Sequence, residues 1–229
     1  MTGLATVIVT YNPELAAFQD VLQHHASTGA DCFVIVDNAS AQRDGIEALA
    51  RRLLPAERLR FLRQPDNIGL GAALNAGIDQ ARAAGCSQVA LFDQDSRPAA
   101  DTLAQLQQAL RSLQAQGVKV GAVGATQVDL RTGAEYPQRR VRGWSMAMIW
   151  PSRETGTAIE VSFLITSGSL MDLSTLDAVG PMRADFFIDS IDIEWCFRAA
   201  AQGFRCFCVK AARLQHALGF GHHFLADAV

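Results

Sequence analysis

Short β-branched runs alternate with longer stretches of helical period through the first half of the chain. Leu4–Thr10, Cys32–Asp37, Leu59–Arg63, Gln88–Asp93 and Val118–Ala125 read as strands. Between them Pro13–Ser27, Arg43–Leu54, Leu70–Ala83 and Ala100–Gln116 carry apolar residues at helix spacing. Strands alternating with helices imply right-handed crossovers and an α/β fold, a doubly wound, mostly parallel sheet. The pattern changes at about Thr126. From Thr126 to Glu160 the chain is rich in Arg, Gly, Pro and Trp with weak periodicity, which predicts a long hairpin or insertion. Val161–Met171 then reads as a strand, Asp189–Gln202 as a helix and Phe204–Val209 as a further strand. No repeat or linker interrupts the text, so residues 1–229 read as one domain with a mixed second half.

Composition narrows the picture. With 229 residues, 49% hydrophobic and 19% charged, disordered, collagen-like and coiled-coil chains are excluded. The net charge of −3 gives no overall pull toward nucleic acid, and only Arg139, Arg140 and Arg142 cluster. No apolar run approaches the ~20 residues that span a bilayer, and the start MTGLATVIVTYNP lacks a secretory signal's basic region. A cytoplasmic location is expected. Cys32, Cys86, Cys196, Cys206 and Cys208 are odd in number and show no CxxC spacing, so they read as buried hydrophobes.

Candidate chemistry sits where strands end. The first runs into Thr10-Tyr11-Asn12-Pro13, the second into Asp37-Asn38-Ala39-Ser40 and the fourth into Asp93-Gln94-Asp95-Ser96. Any one of these is a good turn or helix cap. Their co-location outweighs that reading, because parallel strand ends on one sheet edge converge on a single crevice. Asp93-x-Asp95 offers two carboxylates to a hard divalent cation. Pro65–Gly77 is glycine-rich and then helical, and glycines let a backbone approach a diphosphate at a helix N-terminus, although helix packing uses the same residues. In Asp185–Arg198, Asp189 as cap would place Asp192 in the first turn, with Glu194 and Arg198 paired one turn apart; the alternative makes one carboxylate a general base. His216 is either a core histidine or a third metal ligand. His24 and His25 on a helix, and His222 and His223 in the tail, read as solvent-exposed.

In this order, VIVTYNP, VIVDNAS, PDNIGLGAALNAGI, LFDQDS and FFIDSIDIEWCFRA resemble the glycosyltransferase family 2 proteins of bacterial polysaccharide assembly, most of all the rhamnosyltransferase branch. The resemblance runs from about Thr6 to Gly219. It implies a GT-A (Rossmann-like) fold, with residues 1–125 as the nucleotide-sugar-binding half and 126–229 as an acceptor-binding half cut short at its C-terminal end. It implies an inverting hexosyltransferase that uses Mg2+ or Mn2+ and moves a sugar, expected to be L-rhamnose from dTDP-rhamnose, to a saccharide or lipid-linked acceptor of lipopolysaccharide or O-antigen assembly. Peripheral contact with the inner membrane follows from such an acceptor. Carried over by motif, Thr10, Tyr11 and Asn12 line the base pocket, and Asp37 bonds the pyrimidine. Asn67, Gly69, Gly71 and Asn75 flank ribose and diphosphate. Asp93 and Asp95 match the DxD element, His216 completes the metal shell and Asp192 is the base. Glu194, Trp195 and Gly168 lie on the acceptor side.

Two other classes compete. A nucleotidyltransferase needs basic residues on a triphosphate, whereas the only lysines are Lys119 and Lys210. A catalytically weak nucleotide-sugar-binding module would keep metal-dependent nucleotide binding without turnover.

Overall fold

The structure, a computed structural model, describes residues 3–216. Its frame is a nine-stranded mixed sheet. Strands β1 (Gly3–Thr10), β2 (Cys32–Asp37), β3 (Leu59–Arg63) and β4 (Cys86–Asp93) alternate with helices α1 (Leu15–Ala26), α2 (Arg43–Leu53) and α3 (Leu70–Ala83). After β4 come a two-residue strand β5 (Arg97–Pro98), α4 (Thr102–Ala115) and β6 (Val120–Asp129). A separate hairpin, β7 (Gln138–Arg142) and β8 (Ser145–Ile149), precedes β9 (Ala158–Val161), β10 (Ser169–Asp172), α5 (Leu173–Val179), α6 (Ile191–Ala201) and β11 (Arg205–His216). The spatial order is β3-β2-β1-β4-β10-β6-β11-β5, with β9 also on β11. β1 to β4 are mutually parallel, β6 and β11 run the same way, and β10 is antiparallel to both its neighbours.

Core packing follows the alternation of each buried strand. In β1, Ala5, Val7 and Val9 face α3, α5 and α6, whereas Leu4 and Ile8 face α1, α2 and α4. Helix α3 lies close on the sheet because Gly77 has no Cβ; one built there would collide with the Val7 side chain. Two cores, one per face, make the sheet a rigid base for the loops at its edge.

The doubly wound frame is as expected, and the departures are local. The expected strand Val161–Met171 is two strands, because Gly168 turns the chain at φ +81 and β10 starts afresh at Ser169. The last strand extends to His216 through a register shift between Val209 and Arg213. Helix α6 starts after Ser190, so Asp189 is not its cap. His25 is not solvent-exposed: it is fully buried, edge-on to Phe92 with ring centroids 4.6 Å apart, because α1 turns that face onto β4.

Candidate active site

The carboxyl ends of β1, β2 and β4 come level, since Thr10 pairs with Asp37 and Val9 with Asp93. Parallel strands leave their loops on the same edge, so this register converts three separate motifs into one crevice. Thr10 and Asp37 are fully buried, and the Thr10 hydroxyl donates to Asp37 Oδ1 at 3.2 Å while Ser40 N–H donates to Oδ2 at 3.2 Å. Asp37 therefore ties the end of β1 to the loop that follows β2. Asn12 is knitted to the second loop, its N–H donating to Ser40 Oγ at 2.8 Å and its Oδ1 accepting from Ala41 N–H at 2.8 Å. Tyr11 is left half-exposed at the rim, its backbone tied to the side chain of Gln94.

The glycine loop is held from β2. Asn38 Nδ2 donates to Asn67 Oδ1 at 2.8 Å, and Asn38 Oδ1 accepts from Ile68 N–H at 3.0 Å. What the glycines admit is the protein's own chain. A Cβ on Gly69 would meet Phe187 at 2.7 Å, and one on Gly71 would meet the Arg183 carbonyl at 2.6 Å. Leu70 N–H, at the start of α3, donates to the Phe187 carbonyl, and Asn75 clasps the backbone of Met182 with two bonds of 2.9 Å. In this structure Gly69, Gly71 and Asn75 seat the segment Met182–Phe187, which lies over the N-terminus of α3.

Asp192 is mostly buried at the start of α6. Its Oδ2 accepts from Thr166 N–H at 3.0 Å and its Oδ1 from Ile193 N–H at 2.8 Å. Burial pushes its pKa above the ordinary carboxylate value, and the charge of Asp189 adds to the effect. The next residue along from Thr166 does the corresponding job for the DxD turn. Ser167 Oγ accepts from Asp93 N–H at 3.1 Å and lies 2.6 Å from Ser96 Oγ. Two consecutive residues, Thr166 and Ser167, therefore bridge the carboxylate of Asp192 to the turn that carries Asp93 and Asp95. Asn38, Gln94 and Ser96 belong to the strand-end segments that the sequence singles out, whereas Thr166 carries no such signal beyond its place two residues before a turn glycine.

On the acceptor side, Glu194 forms a two-pronged pair with Arg198 at 2.8 and 2.9 Å, and Arg198 also grips the carbonyls of Val179 and Pro181. Trp195 does not wall the crevice. It is 1% exposed, with its indole N–H on the Gly180 carbonyl, because it faces the core side of α6. Gly168 is likewise an interior turn, where a Cβ would meet Leu214 at 2.8 Å.

Four non-glycine residues among those described have positive φ: Asn12 (48°), Ala39 (67°), Phe187 (57°) and Ser190 (62°). All lie in the loops just described. Backbone strain concentrated in this way is a mark of a functional site.

The donor set suits a hard divalent cation, with two half-buried carboxylates one residue apart. Among the described residues no group of three His, Cys, Asp or Glu converges on a metal position. The side chain of His216 lies outside the described residues, as do His222 and His223. Its backbone is informative, since Gln215 pairs antiparallel with Arg97, which brings His216 level with Ser96 and one residue from Asp95.

Comparison with known proteins bears on family and fold. The model of the family "Glycosyl transferase family 2" matches residues 6–180. The dTDP-rhamnosyl transferase RfbF of Shigella flexneri is 26% identical over 219 residues, covering 95% of this chain and 70% of its own length. A crystal structure of GalNAc-T7 with UDP, GalNAc and Mn2+ superposes with a TM-score of 0.73 at 12% identity, covering 99% of this chain. Residues 1–349 of S. aureus TarS in complex with UDP-GlcNAc superpose at 0.64 and 18% identity, covering all of it. The chain spans 46% and 62% of the lengths of those two solved chains. At such identities the likeness establishes a shared GT-A-like fold.

Proposed function

The chain belongs to glycosyl transferase family 2, and from that premise we propose that it is an inverting transferase, moving a sugar from a nucleoside diphosphate to the hydroxyl of a saccharide or lipid-linked acceptor. The observation that carries the reading is the Thr166-Ser167 bridge, which links the partly buried carboxylate of Asp192 to the DxD turn. Direct displacement needs those two groups near each other. Negative charge grows on the departing diphosphate while the acceptor hydroxyl gives up its proton on the opposite face of the sugar.

Asp192 takes that proton. Its raised pKa makes it a stronger base than an ordinary aspartate, and the N–H groups of Thr166 and Ile193 keep it oriented. Asp93 and Asp95, with His216, are the residues that would hold a divalent cation, which when bound neutralises charge on the leaving diphosphate. Tyr11 offers an aromatic wall to the base at the rim. Thr10, Asn12 and Asp37 hold that rim in shape, and Asn67, Gly69, Gly71 and Asn75 back the donor site through the segment they seat. Glu194 keeps the start of α6 in register through Arg198.

For the donor we propose dTDP-L-rhamnose, on the strength of the Shigella flexneri relative's activity and its coverage of this chain. A donor-hydrolysis screen tests both levels. Release of dTDP from dTDP-rhamnose, dependent on Mg2+ or Mn2+ and faster than from UDP-sugars, is the expected result. Release from a UDP-sugar alone would replace the donor, and the absence of metal-dependent binding of either nucleotide in titration calorimetry would overturn the reading.

A further inference from the structure

The β7–β8 hairpin is the one part of the sequence analysis left without a role. It turns through Gly143, at φ +57, and Trp144, which is 108% exposed. Met146 and Met148 follow at alternate positions on one face of β8 and are 60% and 57% exposed. Residues 138–149 contain three arginines, Arg139, Arg140 and Arg142, and no acidic residue, in a chain of net charge −3. Arg140 is already engaged, its guanidinium donating to the Glu160 carbonyl and lying 3.9 Å from Glu154. From this juxtaposition we propose that the hairpin docks the protein on an anionic lipid surface, its tryptophan and methionines entering the headgroup region and Arg139 and Arg142 meeting the lipid phosphates.

Each half of the patch suits that occupant. Tryptophan prefers the interface between water and acyl chains, and an exposed apolar face edged with arginine is the pattern of a surface-bound element. A second copy of the chain fits less well, because a two-fold contact through this face would press like arginines together. The root of the hairpin leads to the base. Ser162 N–H donates to the Arg139 carbonyl at 2.9 Å, Val141 N–H donates to Ser162 Oγ at 2.7 Å, and four residues beyond Ser162 the N–H of Thr166 holds Asp192. A surface that holds the hairpin therefore also fixes the height of the acceptor site above the bilayer. The proposal deepens the transferase reading and rests on it for its purpose.

The test separates the two. Sedimentation with phosphatidylglycerol and with phosphatidylcholine vesicles is measured at low and high salt, alongside donor hydrolysis and tryptophan emission. The wild type is expected to bind the anionic vesicles at low salt and to release at high salt. Its emission should move to the blue, a shift abolished in Trp144→Phe measured in a Trp150→Phe background, since Trp195 is already buried and Trp150 is only partly so. Replacing both Arg139 and Arg142 by Gln should weaken vesicle binding about 25-fold, at roughly fivefold per arginine, with donor hydrolysis unchanged. Equal binding by wild type and the double variant, no emission shift, or a vesicle-free dimer that alone accounts for the shift would each overturn the proposal. Vesicle binding without any donor hydrolysis would instead overturn the transferase reading and leave docking standing.

Discussion

Replacing Asp192 by Asn removes a base while changing almost no volume, and the structure fixes what each part of the change should do. A well-placed general base contributes about 10²- to 10⁴-fold, or roughly 3–5 kcal/mol of barrier. Transfer should fall by that factor. Stability should barely move, because two effects oppose. Asn can accept from only one of the N–H groups of Thr166 and Ile193, and leaving the other unmet costs about 1–3 kcal/mol. Against that, a desolvated charge is gone, and the raised pKa of Asp192 means that this charge is unfavourable at neutral pH. For a raised carboxylate the stability is greatest below its unfolded pKa and is lost as pH rises through the folded value. The net change is expected within about 1 kcal/mol, or ~2–4 °C in Tm for a chain of this size. Transfer to acceptor, nucleotide titration and thermal melts on the same preparation check all three quantities. A variant that loses many degrees of Tm yet keeps its turnover would show Asp192 to be a structural residue of the α6 start and would refute its assignment as base.

Further outcomes follow from the same geometry. The acid limb of the transfer rate should lie above the ordinary aspartate value of 3.8, rising with pH as Asp192 ionises, and a pH–rate profile with its midpoint below that value would contradict the burial seen here. Ser167→Ala should leave the Asp93 N–H without its side-chain acceptor and cost about 1–3 kcal/mol, read as a lowered urea midpoint together with weaker metal-dependent nucleotide binding. Gly71→Ala presses a methyl against the Arg183 backbone and should cost about 1–3 kcal/mol as overpacking, unless the segment lifts, which protease sensitivity at residues 182–187 would reveal. Burial holds the His25 imidazole down to a pKa of about 3, so its contribution is present above the unfolded value of 6.5 and is lost as pH falls below it. Between pH 7 and pH 5 that amounts to about 2 kcal/mol, and His25→Phe should remove that part of the acid destabilisation in urea melts.

Much of this was legible in the text of the chain. β1, β2, β3 and α3 could be read almost to the residue, because β1 and β2, buried on both faces, the short apolar–basic pattern of β3 and an amphipathic helix leave strong signals. The convergence of Thr10, Asp37 and Asp93 was legible too, since parallel topology alone puts those ends together. What could not be read was the second half of the site. Thr166 and Ser167 act through a backbone N–H and a hydroxyl, just before a turn at Gly168 that the apolar run Val161–Met171 disguises as continuous strand. Trp195 was misplaced because helical spacing does not say which face of α6 meets the core, and His25 because one polar residue in an amphipathic helix carries no sign of which side it takes. The glycines of the α3 loop advertise close approach, and only coordinates show that Met182–Phe187 is what approaches.

Among the described residues strand β10 is the sole rung joining β4 to β6 in the sheet. Both flanking strands precede it in the chain, so the edges of β4 and β6 that it joins stay open until residues 169–172 have been added. Such non-local closure is slow and exposes sticky edges meanwhile. Thr166 and Ser167 lie directly before that rung, so the link between the Asp93 turn and Asp192 is completed only when β10 closes the sheet.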